Sequence, residues 1–310
     1  MVRRDWMAAF VAVSTLAACE EPDPLAGVRA ACASAESEAE ARIEACSNLI
    51  ESGTLSDADR AAALANRGTA SYEGGDVEAA NTDFRAALEA DENNADAILG
   101  RALILLQSGQ LDSAEPLAQR LVEASAHLSE AHRIIGDIML SRGDAAAAAA
   151  AYDASIAADD RNALAYANRA RAKVANEDAA GALADYDAAL RINPQLASAY
   201  AGRCWVRVFQ ESDWAGARRD ADEAVSIDPR NVQGQLCRGL LQLRAEEWDA
   251  ARDSYNAALQ VEAGNPQALF GRGVARRRGG DRAGTEDMNL ARDFDGNVGE
   301  WFDDRGVRTF

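Results

Sequence analysis

The chain is poor in aromatic residues, proline, histidine and lysine. Phe, Tyr and Trp make up 6% of its 310 residues, Pro occurs six times, His twice, and Lys once, at Lys173. Strands draw on aromatic and β-branched residues, so a sheet-based fold has little material here. Two His and five Cys leave little from which to build a His-based metal centre or a catalytic triad. No run approaches the ~20 apolar residues that a membrane-spanning helix needs. HExxH, GxSxG, P-loop and GxGxxG patterns are all missing, so the chemistry they carry has no sequence support. Asp293-x-Asp295-x-Asn297 begins like a calcium loop, but Val298 stands where the sharp turn requires Gly. No metal, cofactor or small-molecule substrate is expected. What is abundant is Ala, 71 residues, the type that costs least to hold in a helix. At 48% hydrophobic residues the chain has enough apolar surface to fold. Its formal charge of −19 argues against a nucleic-acid partner, which would require a basic footprint.

The N-terminus carries Arg3 and Arg4, followed by an apolar stretch from Met7 to Ala18. That stretch is too short to cross a bilayer and reads as a signal peptide over residues 1–18. It ends in Leu16-Ala17-Ala18-Cys19, which resembles the lipobox of bacterial lipoprotein signals. The resemblance implies cleavage before Cys19 and lipidation of its sulfur. The other reading is an ordinary cleaved signal with an incidental Cys. With lipidation, residues 19–27 form a polar tether, and the expected location is the bacterial periplasm, anchored to the outer or inner membrane.

Beyond the tether the sequence repeats. Ala80, Ala114, Ala148 and Ala182 are spaced by 34 residues, and Ala217 and Ala251 continue the series at 35 and 34. A second column, Ala97, Ala131, Ala165, Ala199, Gly234 and Ala268, keeps the same spacings. Each unit reads as two helices separated by a turn: Leu64, Gly68 and Tyr72 precede Gly74-Gly75-Asp76, and Ala80, Phe84, Ala87 and Leu88 give a second stripe at helical spacing. Small residues at unit positions 8 and 20 allow close approach, and a ring at position 24 (Phe84, Tyr152, Tyr186, Tyr255) fills the space beside them. Pro194 and Pro229 fall where the second helix ends.

This pattern resembles the tetratricopeptide repeat. The resemblance implies an all-α superhelical solenoid of antiparallel helix pairs, with about seven repeats and helical caps. The units are 61–94, 95–128, 129–162, 163–196, 197–231, 232–265 and a degenerate 266–299, flanked by an N-terminal helical cap over 28–60 and a cap and tail over 300–310. Residues 163–196 match best, with Tyr166, Ala170, Ala182, Tyr186, Ala189 and Pro194. The fifth unit holds one extra residue near Glu211-Ser212, in its inter-helix turn. Trp301 and Phe302 are expected to fold back on the seventh unit, with Arg305 to Phe310 as a tail.

One departure from the family stands out. Unit position 7, usually apolar there, is Arg at Arg67, Arg101, Arg169, Arg203, Arg238 and Arg272, whereas the third unit has Ile135. Position 23 is Asp in three of these units, at Asp83, Asp185 and Asp220. A half-buried Arg requires a partner, so ion pairs Arg67–Asp83, Arg169–Asp185 and Arg203–Asp220 are expected within repeats. Arg101 faces Leu117 and fits this scheme poorly.

Without Cys19, four cysteines remain. Cys32 and Cys46 flank a turn-around in the N-terminal cap and are expected to form a disulfide, as even Cys counts do in exported proteins. Cys204 and Cys237 lie on the first helices of neighbouring units, where either a bridge or two buried thiols fits. His132 and His127 read as structural.

By the family resemblance, positions 2, 5, 9, 12 and 13 of the first helices line a concave groove for peptides or partner proteins. Carried over, these are Leu99, Leu103 and Leu106; Arg133 and Arg171; Trp205 and Phe209; Leu240, Leu243 and Arg244; and Phe270, Arg277 and Arg278. Some of these residues equally suit plain helix packing. The expected function is a non-enzymatic scaffold that binds a protein or peptide partner at the cell envelope. The alternatives are an adaptor for an envelope or cell-wall hydrolase, or an assembly factor for pili or outer-membrane proteins. An enzyme is the least supported.

Overall fold

The computed structural model describes residues 25–211 and 213–307, so the expected signal peptide and Cys19 lie outside the described residues. Among the described residues the secondary structure is helical throughout, with no strand and no helix long and apolar enough to cross a membrane. The chain divides into two compact units, meeting in sequence at Asn94 and Ala95.

The first unit contains α1 (Ala26–Ala33), α2 (Ala39–Glu51), α3 (Asp57–Glu73) and α4 (Val77–Ala90). Ahead of the first repeat, α1 and α2 turn at residues 34–38. Cys32 and Cys46 form a disulfide across that turn, with Cα atoms 4.7 Å apart. They pack with Leu49 and Ala63 into a small core. Arg42, only 5% exposed, is held by Glu73. Ser56 caps α3 by accepting the Asp59 N–H at 3.2 Å, so this helix starts four residues ahead of position 61. Phe84 packs against Gly68, where the missing side chain leaves room for the ring.

The second unit stacks six helix pairs. They are α5 (Ala95–Gln107) with α6 (Leu111–Glu123), α7 (Leu128–Ser141) with α8 (Ala145–Ala158), and α9 (Ala163–Ala175) with α10 (Ala179–Ile192). Then follow α11 (Ala197–Phe209) with α12 (Trp214–Ile227), α13 (Val232–Arg244) with α14 (Trp248–Val261), and α15 (Pro266–Arg278) with α16 (Gly284–Phe294). A short α17 (Val298–Asp303) ends the chain's helices. Each first helix packs on its own second helix and on the first helix of the next pair. The two Ala columns are the contact seam: Ala114, Ala148, Ala182, Ala217, Ala251 and, in the other column, Ala97, Ala131, Ala165, Ala199 and Ala268 are all fully buried. The rings of Tyr152 and Tyr255 are buried beside them, each burial of this kind stabilising by roughly 1.5–3 kcal/mol.

The helix turns are built alike. Asp144, Asp178 and Asp213 cap second helices by accepting N–H groups of Ala147, Gly181 and Gly216 at 2.8–2.9 Å. Asn162, Asn231 and Asn265 do the same for first helices. Unit position 15 takes positive φ in every repeat: Gly at 75, 109, 143 and 280, but Glu177, Glu211 and Glu246 at φ 62°, 51° and 60°. The backbone conformation is therefore kept in three repeats by a residue that disfavours it.

Arg at position 7 forms a ladder of ion pairs. Arg67 grips Asp83 with Nε and Nη2 at 2.8 and 2.7 Å. Arg169 grips Asp185 at 2.8 and 2.7 Å, and Arg203 grips Asp220 at 2.9 and 2.6 Å. The third guanidinium nitrogen reaches the preceding helix pair, where Asp153 accepts from Arg169 at 2.6 Å and Asp187 from Arg203 at 2.5 Å. A fourth pair went unread in the sequence: Arg272 with Asp287 at 2.8 and 2.6 Å, the Asp standing one position earlier in its unit. Position 11 adds a second cation to the same carboxylates, through Lys173 to Asp185, Arg207 to Asp220 and Arg276 to Asp287. Arg238 has Ser254 in place of an Asp, and burial pushes its guanidinium below the ordinary arginine range. Arg101 Nε is buried without a hydrogen-bond partner.

Candidate partner-binding groove

An open groove lies between α9, α11 and the start of α13, with a volume of about 520 Å³. Its floor is small residues, Ala167, Ala201 and Gly202, so the helices leave space between them. Arg171 and Val174 stand on the α9 wall and Trp205 and Phe209 on the α11 wall. These side chains occupy positions 5, 9, 12 and 13 of consecutive first helices, so the 34-residue repeat itself brings them to one face. Phe209 is 51% exposed, an unusual surface position for a large ring.

Polar groups around the site are sorted by their partners. Asp137 on α7 accepts from Arg133 at 2.8 Å, from Tyr152 Oη at 2.6 Å and from Asn168 at 2.7 Å. Arg133 is therefore consumed in a structural network, and Asn168 is turned toward α7. Arg171 is exposed and has no carboxylate partner among the described residues, although Arg169, Arg203 and Arg207 on the same two helices are all paired. Tyr186 also lines the site; burial pushes its phenol up to about 12, and the positive charge of Arg171 acts in the opposite direction.

The remaining expected groove residues go elsewhere. Leu99, Leu103 and Leu106 pack against a core containing Ala102, Ile134 and Ile138. Leu240, Leu243 and Phe270 are at most 3% exposed and belong to the large core of the last repeats. They are buried in that core rather than lining a groove, and Phe270 is covered by Phe302 of α17, stacked on it at 5.2 Å. Arg244 stacks over Trp214 at 3.8 Å and Arg277 donates to Thr285 at 3.0 Å, while Arg278 stands beside Glu246, Glu247 and Trp248. These three Arg sit at the ends of first helices, near the inter-helix turns, and none lines the pocket of Arg171. Trp301 reaches Trp205, 5.7 Å away on α11, rather than capping the seventh repeat, and Arg305 stacks on its ring neighbours rather than trailing as a tail. Cys204 and Cys237 form a disulfide that ties α11 to α13, with Cα atoms 6.6 Å apart. Val174, Tyr186 and Asn168 were missed as site residues; position 12 of the fourth unit alone pointed to Val174.

Family descriptions of the tetratricopeptide repeat match residues 71–138 and, in two overlapping matches, 208–266 and 236–284. The chain carries tetratricopeptide repeats. The tetratricopeptide solenoid is also similar to a chain in the crystal structure of the APC/C hetero-tetramer Cut9–Hcn1. That match has 14% identity and a TM-score of 0.64, covering 76% of this chain and 49% of that one. It thus spans about half the length of that relative. A second similar structure, from the functional characterization of Pseudomonas aeruginosa pilF, has 16% identity and a TM-score of 0.56, covering 69% of this chain and 97% of that one. At such identities the likeness is one of fold. A comparison with curated proteins found no match. Tetratricopeptide folds act in general as protein-binding scaffolds without catalysis of their own, which makes protein or peptide partners the coarse reading here.

Proposed function

We propose that the protein is a non-enzymatic scaffold of the bacterial cell envelope, held to a membrane by lipid on Cys19 and binding a partner segment between α9 and α11. The observation that carries this reading is the exposed Arg171, without a carboxylate partner among the described residues, facing the rings of Trp205 and Phe209 across an open groove. On a chain of net charge −19, one such guanidinium beside exposed aromatic surface favours a segment with an acidic side chain and an apolar neighbour. The envelope placement is supported by the sequence up to Cys19 and by two disulfides, bonds that persist in oxidising compartments.

The test is crosslinking in cells with partner identification, comparing the native chain with Arg171→Glu/Phe209→Ala. Loss of the main crosslinked partner, with the thermal melt unchanged, is the expected result. An unchanged crosslinking profile would remove the groove from consideration. The partner's identity separates an assembly subunit of pili or the outer membrane from a recruited cell-wall hydrolase. In the same cells, globomycin is expected to block processing at Cys19.

A further inference from the structure

The last helix begins near where an eighth repeat would, but its side chains reach beyond the repeat it follows. The first helix of an eighth repeat would begin near residue 300 and lie against α15 and α16. α17 touches both, but its side chains reach back two repeats. The Trp301 ring lies 5.7 Å from Trp205 on α11, the Arg305 guanidinium lies 4.9 Å from the Phe209 ring, and Arg244 at the end of α13 donates to the Arg305 carbonyl. Phe302 is fully buried, 5.2 Å from Phe270 and 6.4 Å from Tyr255. Leu240, Phe270, Trp205 and Phe209 all stand at first-helix positions 5, 9 or 13, the register that forms the open pocket one repeat earlier.

An end cap has to cover the exposed face of the final helix pair. This segment packs on that pair and in addition carries Trp301 and Arg305 to rings on α11. It does so as a docked peptide helix would, with one ring inserted in an apolar recess, a second ring at the rim, and a guanidinium and a carbonyl fixed at its edge. Residues 295–297, the only ones between α16 and α17, keep it at high effective concentration beside that face.

We propose that residues 298–307 are a tethered ligand, and that the concave face of α11, α13 and α15 is an interaction surface for a short helix bearing two adjacent aromatic residues and a following Arg. A partner helix of that chemistry enters by displacing the chain's own end. This goes beyond the open pocket of Arg171, with which it shares only Trp205 and Phe209.

The test uses a fluorescent synthetic peptide of residues 296–307, titrated into the full chain and into full-chain Trp301→Ala/Phe302→Ala. The emptied variant is expected to bind the peptide at least tenfold more tightly than the native chain, whose open fraction limits its apparent affinity. A peptide with both rings replaced by Ala is expected to bind neither. Adding Arg171→Glu to the variant is expected to leave peptide binding unchanged, so a failure of the open pocket and a failure of this proposal read differently. Equal binding by the native chain and the folded variant overturns the proposal. Should the variant unfold, full-chain Trp301→Ala/Arg305→Ala, which retains the buried Phe302, replaces it. If that protein gains no affinity over the native chain, residues 298–307 are part of the core and the proposal falls.

Discussion

At the scale of single residues, the fold depends on where side chains are missing. Gly239 sits on α13 under the ring of Tyr255, and a Cβ placed there would lie 2.7 Å from that ring. Gly136 stands in the same relation to Tyr152. Both rings are fully buried and have no free direction in which to retreat. Gly239→Ala is therefore expected to destabilise by about 1–3 kcal/mol through overpacking, despite the better helix propensity of Ala. A lowered thermal midpoint checks it, and an unchanged midpoint would mean that the ring shifts at no cost. The small residue at position 8 and the ring at position 24 were legible because they recur. The turn was legible only in part. Gly holds the turn at 75, 109, 143 and 280, yet the backbone at Glu177, Glu211 and Glu246 has the same sign of φ. Neighbouring turn geometry outweighs a penalty of about 1–2 kcal/mol per residue, and sequence identity alone does not reveal that.

At the scale of helices, Arg67, Arg169, Arg203 and Arg272 tie their first helices to the second helix of the same repeat, and Arg169 and Arg203 also to the second helix before. Asp185 is 4% exposed and accepts from Arg169 and Lys173 at once. Removing it strands Lys173 and leaves Arg169 with Asp153 alone in a partly desolvated site, a worse outcome than never having built the pair. Asp185→Ala is expected to cost about 3 kcal/mol, read as a lower urea midpoint with the slope unchanged. A loss below about 0.5 kcal/mol would place the pair among solvent-screened surface bridges. Spacing made these pairs readable, since 16 residues separate Arg67 from Asp83 and Arg169 from Asp185. The same rule missed Arg272–Asp287, separated by 15, because in the seventh repeat the Asp stands at position 22 rather than 23. It also missed Asp153 and Asp187, which are supplied by the preceding pair and lie outside any pattern drawn within one unit.

At the scale of the second unit, periodicity located the groove where every wall belongs to a repeat, and failed where one wall does not. Arg171, Trp205 and Phe209 meet because one register places them on neighbouring helices. Leu240 and Phe270 obey that register too, but both belong to the core of the last repeats, Phe270 beneath Phe302 of α17, so only the folded chain shows them buried. The same burial governs the response of the unit to alkali. Burial raises the phenols of Tyr152, Tyr186 and Tyr255, with Tyr186 reaching about 12. Between pH 10 and 12 the unfolded chain has lost these protons while the folded chain keeps them. The unfolded state then binds fewer protons, and stability falls as pH rises. Each phenol held protonated contributes about 1.4 kcal/mol per pH unit in that window and nothing below it. The pairs of Arg169 and Arg203 do not add to this loss, because their carboxylate partners raise both guanidinium groups further above it. The urea midpoint is therefore expected to be level from pH 8 to 9.5 and to drop steeply from 10 to 12, with tyrosinate absorbance appearing together with unfolding. Tyr186→Phe removes one of the three phenols and is expected to make the drop shallower by about a third. A midpoint that stays level to pH 12 would show these phenols ionising inside the folded stack.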